Sequence, residues 1–309
     1  MPKHLLSIAD VQQSDFLQLI ERSVAFSANH GRAGQRLAGK SVGIYFRKTS
    51  TRTRTSFIVA TVRLGGFPVV FGPGDLQTNT GESAEDTLRV LSGYLDALVL
   101  RTAADPREPQ AMAALDRLPI VNAMTSDEHP TQGISDLAMM TRRFGRLSGL
   151  RVLYVGEGNN TAASLALAVS RIAGMTLVLL TPERYGLAEP LLARARALSG
   201  EFGGRVSELH AIPEPDEPFD VVYTTRWQTT GTEKNDLLWR ERFAPFRVSE
   251  ALMKRFSRES GTVFMHDLPA VRGEDCDSAV LDGPQSIAFE QATQKLYTAM
   301  AVLDWCVGG

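Results

Sequence analysis

The chain has 309 residues, 43% of them hydrophobic, with 33 Lys and Arg against 35 Asp and Glu for a net charge of −2. That balance excludes a disordered polyelectrolyte and a general nucleic-acid binder, whose affinity comes from neutralising phosphates. Only two cysteines, Cys276 and Cys306, are present, which excludes a disulfide framework and a cysteine-rich zinc site.

Met1 to Asp10 carries Lys3 and no apolar leader, and no apolar run reaches the roughly 18 residues of a membrane span. A cytoplasmic protein without a membrane segment is expected. Ser14 precedes a helical pattern in which Phe16, Leu19, Ile20 and Val24 share one face. Val42–Phe46 is an apolar run that reads as a buried strand, and Phe67–Phe71, Ala97–Leu100 and Pro119–Ala123 read the same way. The basic, glycine-containing stretch Arg142–Gly149 marks a boundary. Beyond it, Leu150–Val155, Thr176–Leu180, Phe219–Thr224 and Thr262–Met265 are expected strands, and Thr161–Ala173 a helix. Residues 213–218 form an acidic, proline-rich loop, and Phe289, Ala292, Leu296, Met300 and Leu303 give a terminal amphipathic helix. Strands alternating with helices predict an α/β protein. The expected architecture is two domains, each a parallel sheet flanked by helices, with the active site in the cleft between them.

The densest polar cluster, Lys48 to Ser56, follows the first buried strand. A turn into a helix there aims free N–H groups at an anion. With the hydroxyls and the guanidiniums of Arg52 and Arg54 added, the site suits a phosphate. It is not a P-loop, because no Gly-x-x-x-x-Gly-Lys precedes it. Arg101 ends another buried strand, where a charge is costly unless paired or ligated. His129-Pro130-Thr131-Gln132 reads as a strand-to-helix turn with Pro at the first helical position. There His129 is placed to donate to a carbonyl oxygen, and Gln132 to supply an amide. His266-Asp267-Leu268-Pro269 stands at a further strand end, ahead of Arg272-Gly273-Glu274-Asp275. Gly156-x-Gly158 after a strand admits a dinucleotide site, but Thr161 stands where a third glycine is needed and Glu183 is only a loose acidic partner.

In order and spacing these motifs resemble the aspartate/ornithine carbamoyltransferase family along essentially the whole chain. The match rests on Phe46, Ser50-Thr51-Arg52-Thr53-Arg54, Gly81-Glu82-Ser83 with Asp86-Thr87, Arg101 and His129-Pro130-x-Gln132. It continues through Gly156-x-Gly158-Asn159-Asn160 and His266-x-Leu268-Pro269. The resemblance implies a carbamoyl-phosphate-binding domain over 1–145, an amino-acid-acceptor domain over 146–285, and a terminal helix, 286–309, packing back on the first domain. It also implies transfer of the carbamoyl group to an amino acid, no metal and no organic cofactor, and a homotrimer with shared active sites. Ser50, Thr51, Arg52 and Thr53 would grip the phosphate, while Arg101, His129 and Gln132 surround the carbamoyl group. Arg52, Arg101 and His129 would be catalytic, and Asn160, Leu268 and Lys295 would join the substrate site.

Gly158-Asn159-Asn160 and Pro269-Ala270-x-Arg272-Gly273-Glu274 favour the ornithine branch. The acceptor region departs from it. Ornithine enzymes carry Asp-x-Trp-x-Ser-Met-Gly where this chain reads Thr225-Arg226-Trp227-Gln228-Thr229-Thr230-Gly231, and His-Cys-Leu-Pro where it reads His266-Asp267-Leu268-Pro269. Arg226 and Gln228 resemble instead the carboxylate-binding pair of aspartate enzymes, and Lys295 replaces the family's Arg. An ornithine-like enzyme with an altered acceptor is therefore expected, its amino group near Asp267 and an anionic group toward Arg226 and Gln228. The alternatives are an ornithine or aspartate enzyme proper, a catalytically silent relative, and an NAD(P)-dependent dehydrogenase.

Overall fold

The structure, a computed structural model, describes residues 2–214, 217–229, 232–258 and 260–308, and of residues 78 and 79 the backbone alone. Thr230 and Gly231 of the acceptor motif and residues 215 and 216 of the proline-rich loop lie outside the described residues. The chain divides into two compact units, Met1–Ala138 with Thr293–Gly309, and Met139–Ala292.

In the first unit, β1 (Ser41–Phe46), β2 (Phe67–Phe71), β3 (Ala97–Arg101) and β4 (Ile120–Met124) form a parallel sheet in the order β2-β1-β3-β4. Its helices are α1 (Gln13–Ala28), α2 (Arg52–Arg63), α3 (Ala84–Leu91), α4 (Arg107–Ala114) and the first part of α5 (Pro130–Phe144). Every residue of β3 and β4 is buried, whereas β2 is a partly exposed edge. A parallel sheet covered on both faces favours apolar side chains at its central positions, which explains why these strands read as largely apolar runs, broken only by Asn122 in β4 and ended by Arg101 in β3.

The second unit holds β5 (Arg151–Val155), β6 (Thr176–Leu180), β7 (Arg205–Leu209), β8 (Val221–Thr224) and β9 (Val263–His266), again all parallel, in the order β7-β6-β5-β8-β9. Its main helices are α6 (Asn160–Ser170), α7 (Glu189–Phe202), α8 (Trp239–Phe243), α9 (Glu250–Phe256) and α10 (Ser278–Leu281). Strand β9 ends the sheet yet is fully buried, because Phe264 exchanges backbone hydrogen bonds with the segment at Gln285 and Ile287.

The last helix, α11 (Ala288–Val307), returns to the first unit from Thr293 onward. There Asp304 pairs with Arg22 at 2.8 Å and Arg36 at 3.2 Å, and the Gln294 amide donates to the Ser23 carbonyl at 3.1 Å. These anchors place Lys295 in the same unit as His129.

Both strand orders contain a point where the connections reverse, at β1/β3 and at β5/β8. Beyond the carboxyl ends of strands at such a point, two loops turn away in opposite directions and leave room for a ligand. The sequence-derived candidates sit at these ends. Ser50 to Arg54 follow β1, and Arg101 ends β3. Asn160 follows β5, and Thr225 to Gln228 follow β8.

Candidate active site

In the first unit, α2 begins at Arg52 with Thr51 as its N-cap, and the Thr51 side chain makes no capping hydrogen bond. Ordinary capping therefore does not account for the hydroxyl cluster. The first turn holds Arg52 and Arg54 and no acidic residue. Cations at the positive end of a helix dipole are unfavourable unless an anion joins them. Ser50 and Arg52 are half-buried, Thr51 is exposed, and the buried Thr53 Oγ1 lies 3.5 Å from His129 Nε2.

His129, 4% exposed, immediately precedes α5, and Pro130 takes the first helical position. Its Nδ1 lies 3.3 Å from Thr131 Oγ1, so hydroxyls flank both ring nitrogens. Burial, and then the positive charges of Lys295 and Arg101, hold its pKa well below the ordinary imidazole value. Neutral at pH 7, His129 is a hydrogen-bond partner and not a cation. Gln132 is fully buried and its Nε2 donates to Asp136 Oδ1 at 2.7 Å. One of the two N–H bonds of the amide is thereby engaged. Gln132 presents its Oε1, which has no partner among the described residues. The sequence expects Gln132 to supply an amide here, and the unpartnered oxygen of that amide is an acceptor suited to an NH2 group. Arg101, at the end of β3, is buried.

The depressed His129 pKa has a stability consequence. Between the lowered folded value and about 6.5, the unfolded chain holds a proton that the folded chain does not. The stability linked to neutral His129 is therefore complete above about pH 6.5 and falls on acidification, by at most about 1.4 kcal/mol per pH unit. Urea midpoints measured near pH 7.5 and 5.5 are expected to drop more for the wild type than for His129→Gln. An equal drop would refute the assignment.

In the second unit, Gly156 to Asn160 link β5 to α6. Asn159 caps α6, its Oδ1 accepting from the N–H groups of Thr161 at 3.0 Å and Ala162 at 3.2 Å. Asn160, the first helical residue, is buried. A Cβ at Gly158 would stand 2.2 Å from the backbone of Gly186 and Leu187, and the Gly158 N–H donates to the Tyr185 carbonyl. This glycine serves close packing of two chain segments, which removes the main support for a dinucleotide site.

Asp267 directly follows β9. Its carboxylate accepts from the Thr225 hydroxyl at 2.9 Å and the Thr161 hydroxyl at 2.8 Å. Thr224 and His266 are ladder partners, so Thr225 and Asp267 stand one step beyond on adjacent strands. The carboxylate absent at 225 is therefore present beside it, carried by the neighbouring strand. His266 Nδ1 accepts the Leu268 N–H at 2.8 Å, which puts the ring proton on Nε2, 3.6 Å from Asp275 Oδ2. Leu268 has φ +54, a conformation a branched side chain rarely adopts and one found where a turn is functionally constrained. The motif brackets Asp267 and sets its direction.

Arg226 is half-buried, with no ion pair among the described residues. Gln228 donates to the Thr232 carbonyl of its own loop at 3.1 Å. Sequence reasoning passed over Asp136, Thr131 and Thr161, which orient Gln132, His129 and Asp267. Only Asp136 left a local signal, one helical turn after Gln132.

Two family models match the chain. The carbamoyl-P binding domain of aspartate/ornithine carbamoyltransferase covers residues 3–142, and the Asp/Orn binding domain covers 148–306. The ornithine carbamoyltransferase of Acidothermus cellulolyticus is 37% identical over 305 residues, 99% of this chain and 96% of that one. The anabolic ornithine carbamoyltransferase of Pyrococcus furiosus is 35% identical over 309 residues, covering 99% and 97%. Among solved structures, ornithine carbamoyltransferase from Pyrococcus furiosus matches with a TM-score of 0.91 at 34% identity, over 100% of this chain and 98% of that one. The Thermus thermophilus ornithine carbamoyltransferase matches with a TM-score of 0.87 at 30% identity, over 99% of each. None of these likenesses points away from ornithine, so the expected change of acceptor finds no support in them.

Proposed function

The chain belongs to the aspartate/ornithine carbamoyltransferase family and is a carbamoyltransferase, and we propose that ornithine is the acceptor. The observation carrying this reading is the Asp267 carboxylate, hydrogen-bonded to Thr225 at the position where ornithine enzymes hold their own Asp. The acidic group has moved across one rung of the ladder, and the charge offered to an acceptor's ammonium is conserved.

In this reading the neutral amine attacks the carbamoyl carbon, the new C–N bond forms, and the C–O bond to phosphate breaks. The proton lost by the amine leaves with the phosphate. Arg101 and neutral His129 donate to the carbonyl oxygen as negative charge grows there, and Gln132 Oε1 accepts from the carbamoyl NH2. Ser50, Thr51, Arg52 and Thr53 hold the phosphate at the start of α2. Asn160, Asp267 and Leu268 position the acceptor. Lys295, beside His129, contributes a point charge in place of a planar guanidinium fork.

One observation favours a second reading. Arg226, half-buried and without an ion pair among the described residues, suits an acceptor with an additional anionic group. The same experiment separates the two. Phosphate release from carbamoyl phosphate is measured across a panel of amino acids, for the wild type and for Arg226→Ala. Ornithine is expected to be the best acceptor, with its KM changed less than about threefold by the substitution. A better acidic or acylated acceptor whose KM rises at least about tenfold in Arg226→Ala would replace ornithine.

A homotrimer and a cytoplasmic location go with the same reading. Supporting self-association, the edge strand β2 is unpaired on one side and exposes Phe67 at 64%. No helix among the described residues is long and apolar enough to cross a membrane.

A further inference from the structure

Lys234 is a cation where a lysine is rarely found. Its side chain is 6% exposed, and its Nζ lies 5.5, 5.4 and 5.3 Å from the ring centroids of Tyr185, Trp239 and Phe243. The rings pack on one another, with Phe243 4.9 Å from Tyr185, 5.4 Å from Trp227 and 5.7 Å from Trp239. Ring faces attract an ammonium but do not replace its hydration. The remaining demand is met by Glu157, whose Oε1 pairs with Lys234.

Glu157 belongs to the loop after β5, and its other oxygen, Oε2, accepts from the Thr229 hydroxyl at 2.9 Å. Thr229 belongs to the loop after β8, where ornithine enzymes carry the Ser of their acceptor motif. Its Oγ1 also accepts from the Asn159 amide at 3.0 Å. Asn159 caps the first turn of α6, from which Thr161 reaches Asp267. An unbroken chain of polar contacts therefore runs from Lys234 through Glu157, Thr229, Asn159 and Thr161 to the acceptor carboxylate. An aromatic core alone would accept Met or Leu at 234. Only a cationic side chain both fills the space among the rings and fixes the Glu157 carboxylate against Thr229.

We infer that Lys234 and Glu157 are positioning residues for the acceptor: their ion pair, seated in the aromatic cluster, clamps the β5–α6 loop to the loop that follows β8. The inference rests on the carbamoyl-transfer reading above and is independent of which amino acid is the acceptor. None of the two residues' assigned contacts involves the carbamoyl-phosphate half of the site.

The test compares wild type, Lys234→Met, which keeps the apolar stem, and Lys234→Arg, which restores the charge. Kinetics are read with whichever panel amino acid the wild type carbamoylates fastest. Lys234→Met is expected to raise the acceptor KM at least about tenfold, with the carbamoyl-phosphate KM and kcat at saturating acceptor within about threefold, and Lys234→Arg to recover most of the loss. An unchanged acceptor KM overturns the inference, and so does a loss shared equally by both substrates. If ornithine is not the fastest acceptor, the ornithine reading fails while the inference is still tested. If nothing is carbamoylated, amide hydrogen exchange decides. Faster exchange in Lys234→Met at both 159–162 and 225–229 supports the clamp, and exchange equal to wild type overturns it.

Discussion

Arg52→Ala is expected to weaken carbamoyl-phosphate binding by roughly 10³-fold while leaving the fold intact, since truncating one partner of a hydrogen-bonded charge pair costs about 2–5 kcal/mol. The upper part of that range applies because a phosphate dianion held at a helix N-terminus depends on charge-assisted donors, and Arg supplies two in one plane. The fold is spared for three reasons. Arg52 is half-buried and not in the core, it opens α2, and removing a cation from the positive end of the dipole relieves the helix. Calorimetric titration with carbamoyl phosphate, alongside thermal unfolding, checks both halves. Titration like that of the wild type would remove the phosphate-site assignment, and a large fall in melting temperature would mean that Arg52 is structural.

His129→Ala is expected to lower kcat by roughly 10²–10³-fold with little change in the KM of either substrate, the scale for losing one donor to a developing oxyanion. The buried, neutral ring is what makes the effect large. Desolvation and the charges of Lys295 and Arg101 disfavour the imidazolium, so the ring offers a hydrogen bond in a site with little water to replace it. Steady-state kinetics with the best acceptor decide the matter. A kcat within about threefold of wild type would show that Arg101 alone stabilises the carbonyl oxygen.

The strands of both sheets could be read locally wherever burial is complete. β3, β4, β8 and β9 are buried at every position, so they appear in the sequence as apolar runs within a residue or two of their observed limits. β7 was missed for the converse reason. As an edge strand with an exposed–intermediate alternation over Arg-Val-Ser-Glu-Leu, it buries too little to announce itself. The proposed phosphate-binding motif is legible because its residues are contiguous, and because its position after β1 follows from the strand.

The acceptor half is legible only in part, because position in sequence and position in space part company there. The sequence alone shows a carboxylate lost at Thr225 and one gained at Asp267, which it expects near the acceptor's amino group, but not how close the two positions lie. The β8–β9 register makes them neighbours 2.9 Å apart, although 42 residues separate them. The packing that claims Gly158 and the Glu157–Lys234 pair across 77 residues are of the same kind. Sequence by itself determined the buried strands, the family resemblance and the motifs proposed for the donor, because side-chain periodicity and contiguous motifs are local properties. Only the tertiary structure decided which atoms of those motifs are already engaged and which remain for substrate. Hydrogen-bond partners follow from strand order and register, and these are set by how the whole chain buries its apolar surface.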